Sequence, residues 1–473
     1  MNMRQPFFGT PARPQPAALA GKRVLVLGLG DTGLSVVNWV KSEGGSVRVA
    51  DTRTSPPHGK SLSKEEIVTG KFKASLLKDV DLVCISPGLA LQEEIVQTAI
   101  TRNIPVVGDI ELFAWAVRGN SSSKVLAVTG TNGKSTVSAL AGHLLRSAGI
   151  DCEVAGNIGP AALDALMKRA SQPVAKSPEA WVLELSSYQL ETTWSLEPDA
   201  AALLNVSEDH LDRYAGLAAY TGAKARIFMG RGAQVLNRCD SASMASATGS
   251  EMRGRVQVTF GMDTPSVAED FGIANVAGRA WLARGGERIL GVDELPLCGA
   301  HNASNALAAC ALAHLAGAPL AALAAGLRGF RGLPHRMQRV ALRGGVEWFD
   351  DSKGTNVGAT TAALNGLSRK AVLILGGEGK GQNFAPLVPA IRARAKHVLL
   401  IGRDAALIEK AIASSGISVE RIESIEKAVV RAAQIAVPGD AVLLSPACAS
   451  FDMFRDYRHR GEAFAAAVKG LKD

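Results

Sequence analysis

The segment GTNGKST, Gly130 to Thr136, gathers the residue types that grip a polyphosphate. It follows an apolar run, Val125–Thr129, and precedes a helical pattern starting near Lys134. Gly130, Thr131, Asn132 and Gly133 form a turn whose backbone N–H groups can cradle phosphate oxygens. Lys134 can reach the terminal phosphate, and Ser135 or Thr136 can meet Mg2+. The turn is shorter than the GxxxxGK[ST] form, because Val128 stands where the first glycine would be. A second turn, GLGDTG, sets Gly28, Gly30 and Gly33 in GxGxxG spacing after a strand, and Asp51 closes the next strand. That spacing presents a helix N-terminus to a diphosphate. A nicotinamide dinucleotide and a nucleotide-sugar both carry a diphosphate, so this turn alone does not choose between them.

Further candidates lie at the ends of apolar runs. Glu184 sits in VLELSSYQL and His210 in NVSEDHLD. A carboxylate and an imidazole beside a phosphate loop can hold a divalent ion, although either residue taken singly is more often structural. Lys224, in YTGAKARIF, reads by residue type as a solvated helix lysine. Arg336 in LPHR and Asp351 and Lys353 in DDSKGTN suit phosphates and a ribose. LGGEGKG is another anion-binding turn, carrying Lys380, and SPACASFDMF follows the last apolar run.

Positioning these groups takes several folded units. The chain has 473 residues, and at roughly 100–200 residues per domain three domains are expected. Strand-like runs alternate with helical stretches throughout, which predicts α/β domains with parallel sheets and ligands at the strand ends. Residues 1–20, with four prolines, read as a disordered tail. Residues 21–119 make a first block, and the small polar GNSSSK segment (119–124) suits a linker. Residues 120–331 make a second block, and Gly332 and Pro334 open a third, 332–473. The uncharged stretch Gly299–Leu327 is interrupted at Gly317 and Pro319. It predicts two packed helices rather than a membrane span.

Lys+Arg 52 against Asp+Glu 44 gives a net charge of +8, spread without basic runs. This suits anionic metabolites and gives no sign of a nucleic-acid partner. The six cysteines form no CxxC pair. Neither a zinc ribbon nor a disulfide framework is indicated, and scattered thiols fit a reducing cytoplasm. No secretory signal is visible, so a cytoplasmic protein with no membrane insertion is expected.

Taken in order, the strings GLGDTGLS, DTR, SPGLAL, GDIELF, GTNGKSTV, GNIG, ELSSYQLE, NVSEDHLDRY, HNASNALAA, GLPHRM, DDSKGTN, GGEGKG and LLSPACASFDMF resemble the Mur ligase family. Within it they resemble the members that add D-glutamate to UDP-N-acetylmuramoyl-L-alanine. The resemblance covers nearly the whole chain from Gly21. It implies a Rossmann-like N-terminal domain, a P-loop-type central ATPase domain and a Rossmann-like C-terminal domain. It implies ATP and Mg2+ as cofactors, those two substrates as partners, and a monomer. By resemblance, Asp31, Thr32, Asp51, Thr52, Asn157, Ser186 and Gln189 match positions for the uridine diphosphate sugar. Ser135, Glu184 and His210 match metal ligands, and Lys224 matches a lysine carried as a carbamate. Asn305, Arg336 and Asp351 match ATP contacts. Thr355, Lys380, Ser450 and Tyr457 match positions around D-glutamate. Two residues depart from the pattern: Glu378 where Asp is common, and Tyr457 where Phe is. Because these ATP and amino-acid contacts come from different domains, the third domain is expected to swing closed over bound ATP, with a hinge near Gly332 to Pro334.

An oxidoreductase reading would rest on GxGxxG and Asp51, leaving GTNGKST unexplained. An NTPase without ligation activity would hydrolyse ATP with no need of an amino acid. A sibling ligase adding another amino acid, or a folate polyglutamate synthase, would share the ATPase core.

Overall fold

The computed structural model describes residues 13–471, apart from 63–66, 118–122, 173–176, 211–212, 248–254 and 298. Most of the predicted tail and most of the predicted linker thus lie outside the described residues. Residues 13–20 carry no regular element until the turn at Ala20, and Leu19 is buried.

Three sheets follow one another along the chain. The first has five parallel strands, ordered Ile67–Thr69, Ser46–Asp51, Arg23–Leu27, Leu82–Ile85 and Val106–Val107. Its central strand is buried from Val24 to Leu27, as expected for a parallel sheet covered on both faces. Chain order reverses on either side of that strand, which opens a crevice at its carboxyl end. The GLGDTG turn lies there. A Cβ on Gly33 would stand 2.0 Å from the Gly28 carbonyl oxygen, so only glycine lets the helix Asp31–Ser42 start so close to the strand.

The second sheet has nine strands. From one edge the order is Glu287–Gly291, Arg279–Arg284, Phe271–Val276, Gln257–Phe260 and Ala233–Asn237, then Ala200–Leu203, Lys124–Thr129, Ala180–Glu184 and Cys152–Gly156. The part from Gln257 onward is parallel, but the three strands at the first edge are antiparallel to one another. The α/β pattern of the sequence does not predict this meander. Its first hairpin turns on Ala277 and Gly278, at φ +51° and +79°, the paired left-handed geometry that joins adjacent strands tightly.

The third sheet runs Gln338–Arg343, Val346–Asp350, Ala441–Leu444, Ala371–Gly376, Ala395–Ile401 and Val419–Arg421. Only the first strand is antiparallel. The uncharged stretch forms two helices, Ala300–Leu315 and Leu320–Gly329, parted around Gly317 and Pro319. The first is buried on nearly every side, which explains its lack of charge. No described helix is long and apolar enough to cross a membrane.

One hydrophobic cluster joins the first two domains. Val26, Val37 and Phe113 share it with Ala127, Trp181 and Leu203, and Phe113 meets Trp181 edge-on at 5.3 Å between ring centroids. The third domain keeps its own clusters on the two faces of its sheet.

Candidate active site

The phosphate-type loop is built as its spacing predicts. Strand Lys124–Thr129 ends, Gly130 and Gly133 turn at φ +157° and +84°, and helix Lys134–Ser147 begins. A Cβ on Gly133 would lie 2.4 Å from Asn305 Oδ1. Lys134 Nζ donates to the carbonyls of Gly130 and Thr131, both at 2.8 Å. Lys224, from the helix Leu217–Ala225, donates to the same Gly130 carbonyl at 2.8 Å. Far from being solvated, Lys224 is 1 % exposed and lies 4.4 Å from the Tyr220 ring centroid. Burial, then the charge of Lys134, drives its pKa well below the ordinary lysine value. Lys134 is also lowered, chiefly by burial.

Glu184 ends its strand almost fully buried. Asn157 Nδ2 donates to Oε1 at 2.7 Å, while Oε2 is buried with no hydrogen-bond partner. An orphaned carboxylate oxygen beside two lysines and a phosphate-type loop fits a cation. His210, at φ +56°, stands 3.8 Å from Asp209 (Nε2 to Oδ2) and 4.9 Å from Tyr188 between ring centroids. Burial lowers its pKa, keeping the imidazole neutral enough to ligate. Among the described residues no group of three or more His, Cys, Asp and Glu gathers. A complete ligand set would therefore draw on another donor.

Three cavities meet around these groups. The first, about 730 Å³, sits at the crevice of the first sheet and is lined by Asp31, Thr32, Asp51, Thr52, Asn157 and Gln189. Burial alone would raise Asp51, but hydrogen bonds from Arg53 and from the Leu29 N–H outweigh it and hold the carboxyl at about 2. The second cavity, about 990 Å³, contains Lys134, Glu184, Ser186, His210 and Lys224. Thr355 and Lys380 line it from the third domain. Asn157, Pro87 and Gly88 border both cavities, so the two adjoin. The third, about 350 Å³, is lined by Thr136, Asn305, Arg336 and Asp351. Burial pushes Asp351 up to about 7, against hydrogen bonds from Ser445 Oγ and the Met337 N–H.

Two sets of contacts hold the cavity walls together. Between the first and second domains, Gln189 Nε2 donates to buried Asp109 at 3.0 Å. Gln189 also closes a capping box with Ser186 at the start of helix Ser187–Glu191. Glu111 accepts the Trp194 and Ser195 N–H groups at 2.6 and 2.8 Å. Between the second and third domains, Arg336 donates to Ser135 Oγ at 2.7 Å. Asn356 Nδ2 donates to Asn132 and Asp209, both at 3.2 Å.

Comparison with known proteins fits this geometry. Residues 22–108 match the Mur ligase MurD-like N-terminal domain, 128–313 the Mur ligase middle domain, and 335–448 the Mur ligase glutamate ligase domain. The UDP-N-acetylmuramoylalanine--D-glutamate ligase of Nitrosospira multiformis is 52% identical over 462 residues, covering 96% of each chain. The protein of the same name from Aromatoleum aromaticum is 51% identical, covering 97% of this chain and 99% of its own.

The chain belongs to the Mur ligase family.

Solved structures share the fold at low identity. The UDP-N-acetylmuramate-alanine ligase of Thermotoga maritima has a TM-score of 0.61 at 19% identity, covering 95% of this chain and all of its own. A pseudomurein peptide ligase type C from Methanothermus fervidus has a TM-score of 0.58 at 18% identity, covering 96% and 100%.

Within this Mur ligase, most residues singled out in the sequence converge on the adjoining cavities, but Gly130, Ser135, Ser450 and Tyr457 do not line them. Ser450 is buried, 2 % exposed, away from the described cavity walls. Tyr457 packs its ring beneath Lys353, 4.0 Å from Nζ to centroid. Glu378 is held by Arg403 at 3.1 Å. Sequence reasoning missed Asp109, Glu111 and Asn356 as bracing groups. GDIELF and DDSKGTN were visible as strings, but nothing in them shows which side chain crosses to another domain.

Proposed function

We propose that this Mur ligase joins the L-alanine carboxylate of UDP-N-acetylmuramoyl-L-alanine to the amine of D-glutamate, using ATP. The observation that carries this reading is that the two larger cavities adjoin, with Asn157, Pro87 and Gly88 bordering both. A uridine nucleotide in the first cavity can extend its far carboxylate toward Lys134. The names of the relatives above support the choice of substrates.

A carboxylate does not react with an amine at neutral pH, because an oxide leaves badly. Attack of the carboxylate oxygen on the γ-phosphorus of ATP expels ADP and gives an acyl phosphate. The amine then attacks the acyl carbon, loses a proton, and the tetrahedral adduct expels inorganic phosphate. Lys134 and Arg336 neutralise the phosphates and hold them in line. Asn305, Thr136 and Asp351 hold the nucleoside in the third cavity. Thr355 and Lys380 receive D-glutamate, with Lys380 pairing a carboxylate. Mg2+ would be held by Glu184, His210 and Ser135, and it supplies charge neutralisation between carboxylate and phosphate. The depressed pKa of Lys224 provides the neutral amine that adds CO2, giving an anionic carbamate as a further oxygen donor. A monomer working in the cytoplasm, where ATP is available, belongs to the same reading.

Phosphate release with UDP-N-acetylmuramoyl-L-alanine, ATP and a panel of amino acids tests the reading. D-glutamate is expected to stimulate release, with a product heavier by one glutamyl residue in mass analysis. Failure of D-glutamate to stimulate, while another amino acid does, would assign the chain to a sibling ligase. Release independent of any amino acid would leave an NTPase.

A further inference from the structure

Uncommitted positive charge is scarce in the first cavity. Among its described lining residues two are cationic, Arg53 and Arg458, and three are acidic, Asp31, Asp51 and Asp164. Arg53 is committed: its Nε and Nη2 donate to the two oxygens of Asp51 at 2.8 and 2.6 Å. Asp31 opens the helix Asp31–Ser42 and is itself fully open to solvent, with His58 Nε2 2.8 Å from its Oδ1. A diphosphate entering here gains the helix N-terminus but meets like charge at Asp31.

Arg458 differs in origin and commitment. It belongs to the third domain, on the first turn of the helix Tyr457–Lys469, yet it borders a cavity built by the first. Its guanidinium lies 5.5 Å from the Tyr457 ring centroid and feels the charge of Asp31 across the domain boundary. Among the described residues it makes no ion-pair contact with a carboxylate. The side chain is long and exposed, so its donors can turn to an incoming anion. Its charge also reaches Lys353, which in turn feels Arg336 and Lys134. Arg458 borders the first cavity, while Lys353, Arg336 and Lys134 border the second.

We propose that Arg458 is a substrate-binding residue that grips the diphosphate of the uridine nucleotide from the third domain. This rests on the function proposed above. The grip is available only while the third domain is docked, so nucleotide-sugar binding and docking favour each other. The sugar nucleotide thereby bridges the first and third domains, besides occupying a pocket in the first.

Titration of UDP and of uridine against the full chain and against Arg458→Ala tests this without requiring turnover. UDP is expected to bind the variant about tenfold more weakly, the size of one lost charge-assisted hydrogen bond. Uridine, which lacks phosphates, is expected to bind both proteins alike. In turnover, KM for UDP-N-acetylmuramoyl-L-alanine rises by a similar factor with kcat and the D-glutamate KM unchanged, because ground and transition states lose the same contact. Arg458→Lys restores part of the affinity. Equal UDP affinity in wild type and Arg458→Ala overturns the proposal. So does a raised D-glutamate KM with unchanged UDP affinity, which would make Arg458 a prop for Tyr457. If wild type binds UDP and loses that affinity in the variant but makes no glutamyl product, the ligase reading fails and the arginine contact stands.

Discussion

The first and second domains share one hydrophobic core, whereas the third keeps its own. The first junction adds buried polar anchors: Glu111 accepts two backbone N–H groups, and Asp109 fixes the Gln189 amide. Among the described residues the second junction shares no hydrophobic cluster; Gly299 and His301 pack on Gly366, and Arg336 and Asn356 make polar contacts to the phosphate loop. Burying apolar area is worth about 25 cal/mol per Å² and is available only in the packed state, so the first junction is rigid. Polar contacts beside a cavity exchange readily with water and ligand, so the second is adjustable. The first cavity and the GTNGKST loop therefore sit on one rigid body.

If that division is right, substitutions on the two sides should fail differently. The largest effect is expected from Lys224→Ala, at the chemical centre of the rigid body. It should lower kcat on the order of 10²–10³-fold, with partial recovery in acetate. Full activity in that variant would remove Lys224 from the reaction. Arg336→Ala, at the adjustable junction, should cost on the order of 100-fold in kcat/KM for ATP while leaving the unfolding midpoint nearly unchanged. A large drop in that midpoint would show the second junction to be as structural as the first. Glu111→Ala should do the reverse. Stranding two backbone donors costs about 2–4 kcal/mol in urea unfolding, with kcat close to wild type.

A smaller effect tests Asp109, whose carboxyl burial pushes up to about 6. Asp109→Ala frees the Gln189 amide and should raise KM for the sugar nucleotide a few fold. Asp109→Asn, which still offers an acceptor, should restore it; no difference between the two would mean that Gln189 needs no anchor. The smallest effect concerns His335, whose Nδ1 lies 2.7 Å from buried Asp350 in the third domain. That hydrogen bond raises the imidazole above its ordinary pKa of 6.5. The pair's contribution is complete below the ordinary value and is lost as pH rises through the raised one. The stability gap between wild type and His335→Gln should therefore shrink as pH rises past the ordinary imidazole value and through the raised one. A constant gap would mean that the contact does not depend on charge.

Much of this was legible in the residues themselves. The glycine turns GLGDTG and GTNGKST announced their strand–turn–helix geometry, because left-handed backbone and close helix approach demand glycine locally. The alternation of apolar runs with helical stretches gave α/β domains, since backbone periodicity is set by the chain's own neighbours. Other features escaped. The antiparallel meander from Phe271 to Gly291 has strands too short and mixed for their pairing to be read from pattern. Lys224 carries no local mark of burial. Its depressed pKa comes from burial and from Lys134; Tyr220 stands one turn back on the same helix, but the fold alone brings Gly130 and Lys134 to it. Arg458 reaches the first domain's cavity, and Ser450 is buried without lining any of the three, for the same reason. The linear chain determines which residues can turn, cap or carry charge, because those are short-range properties. Which charges face one cavity depends on how separately folded sheets dock, and that is decided by surfaces no linear spacing records.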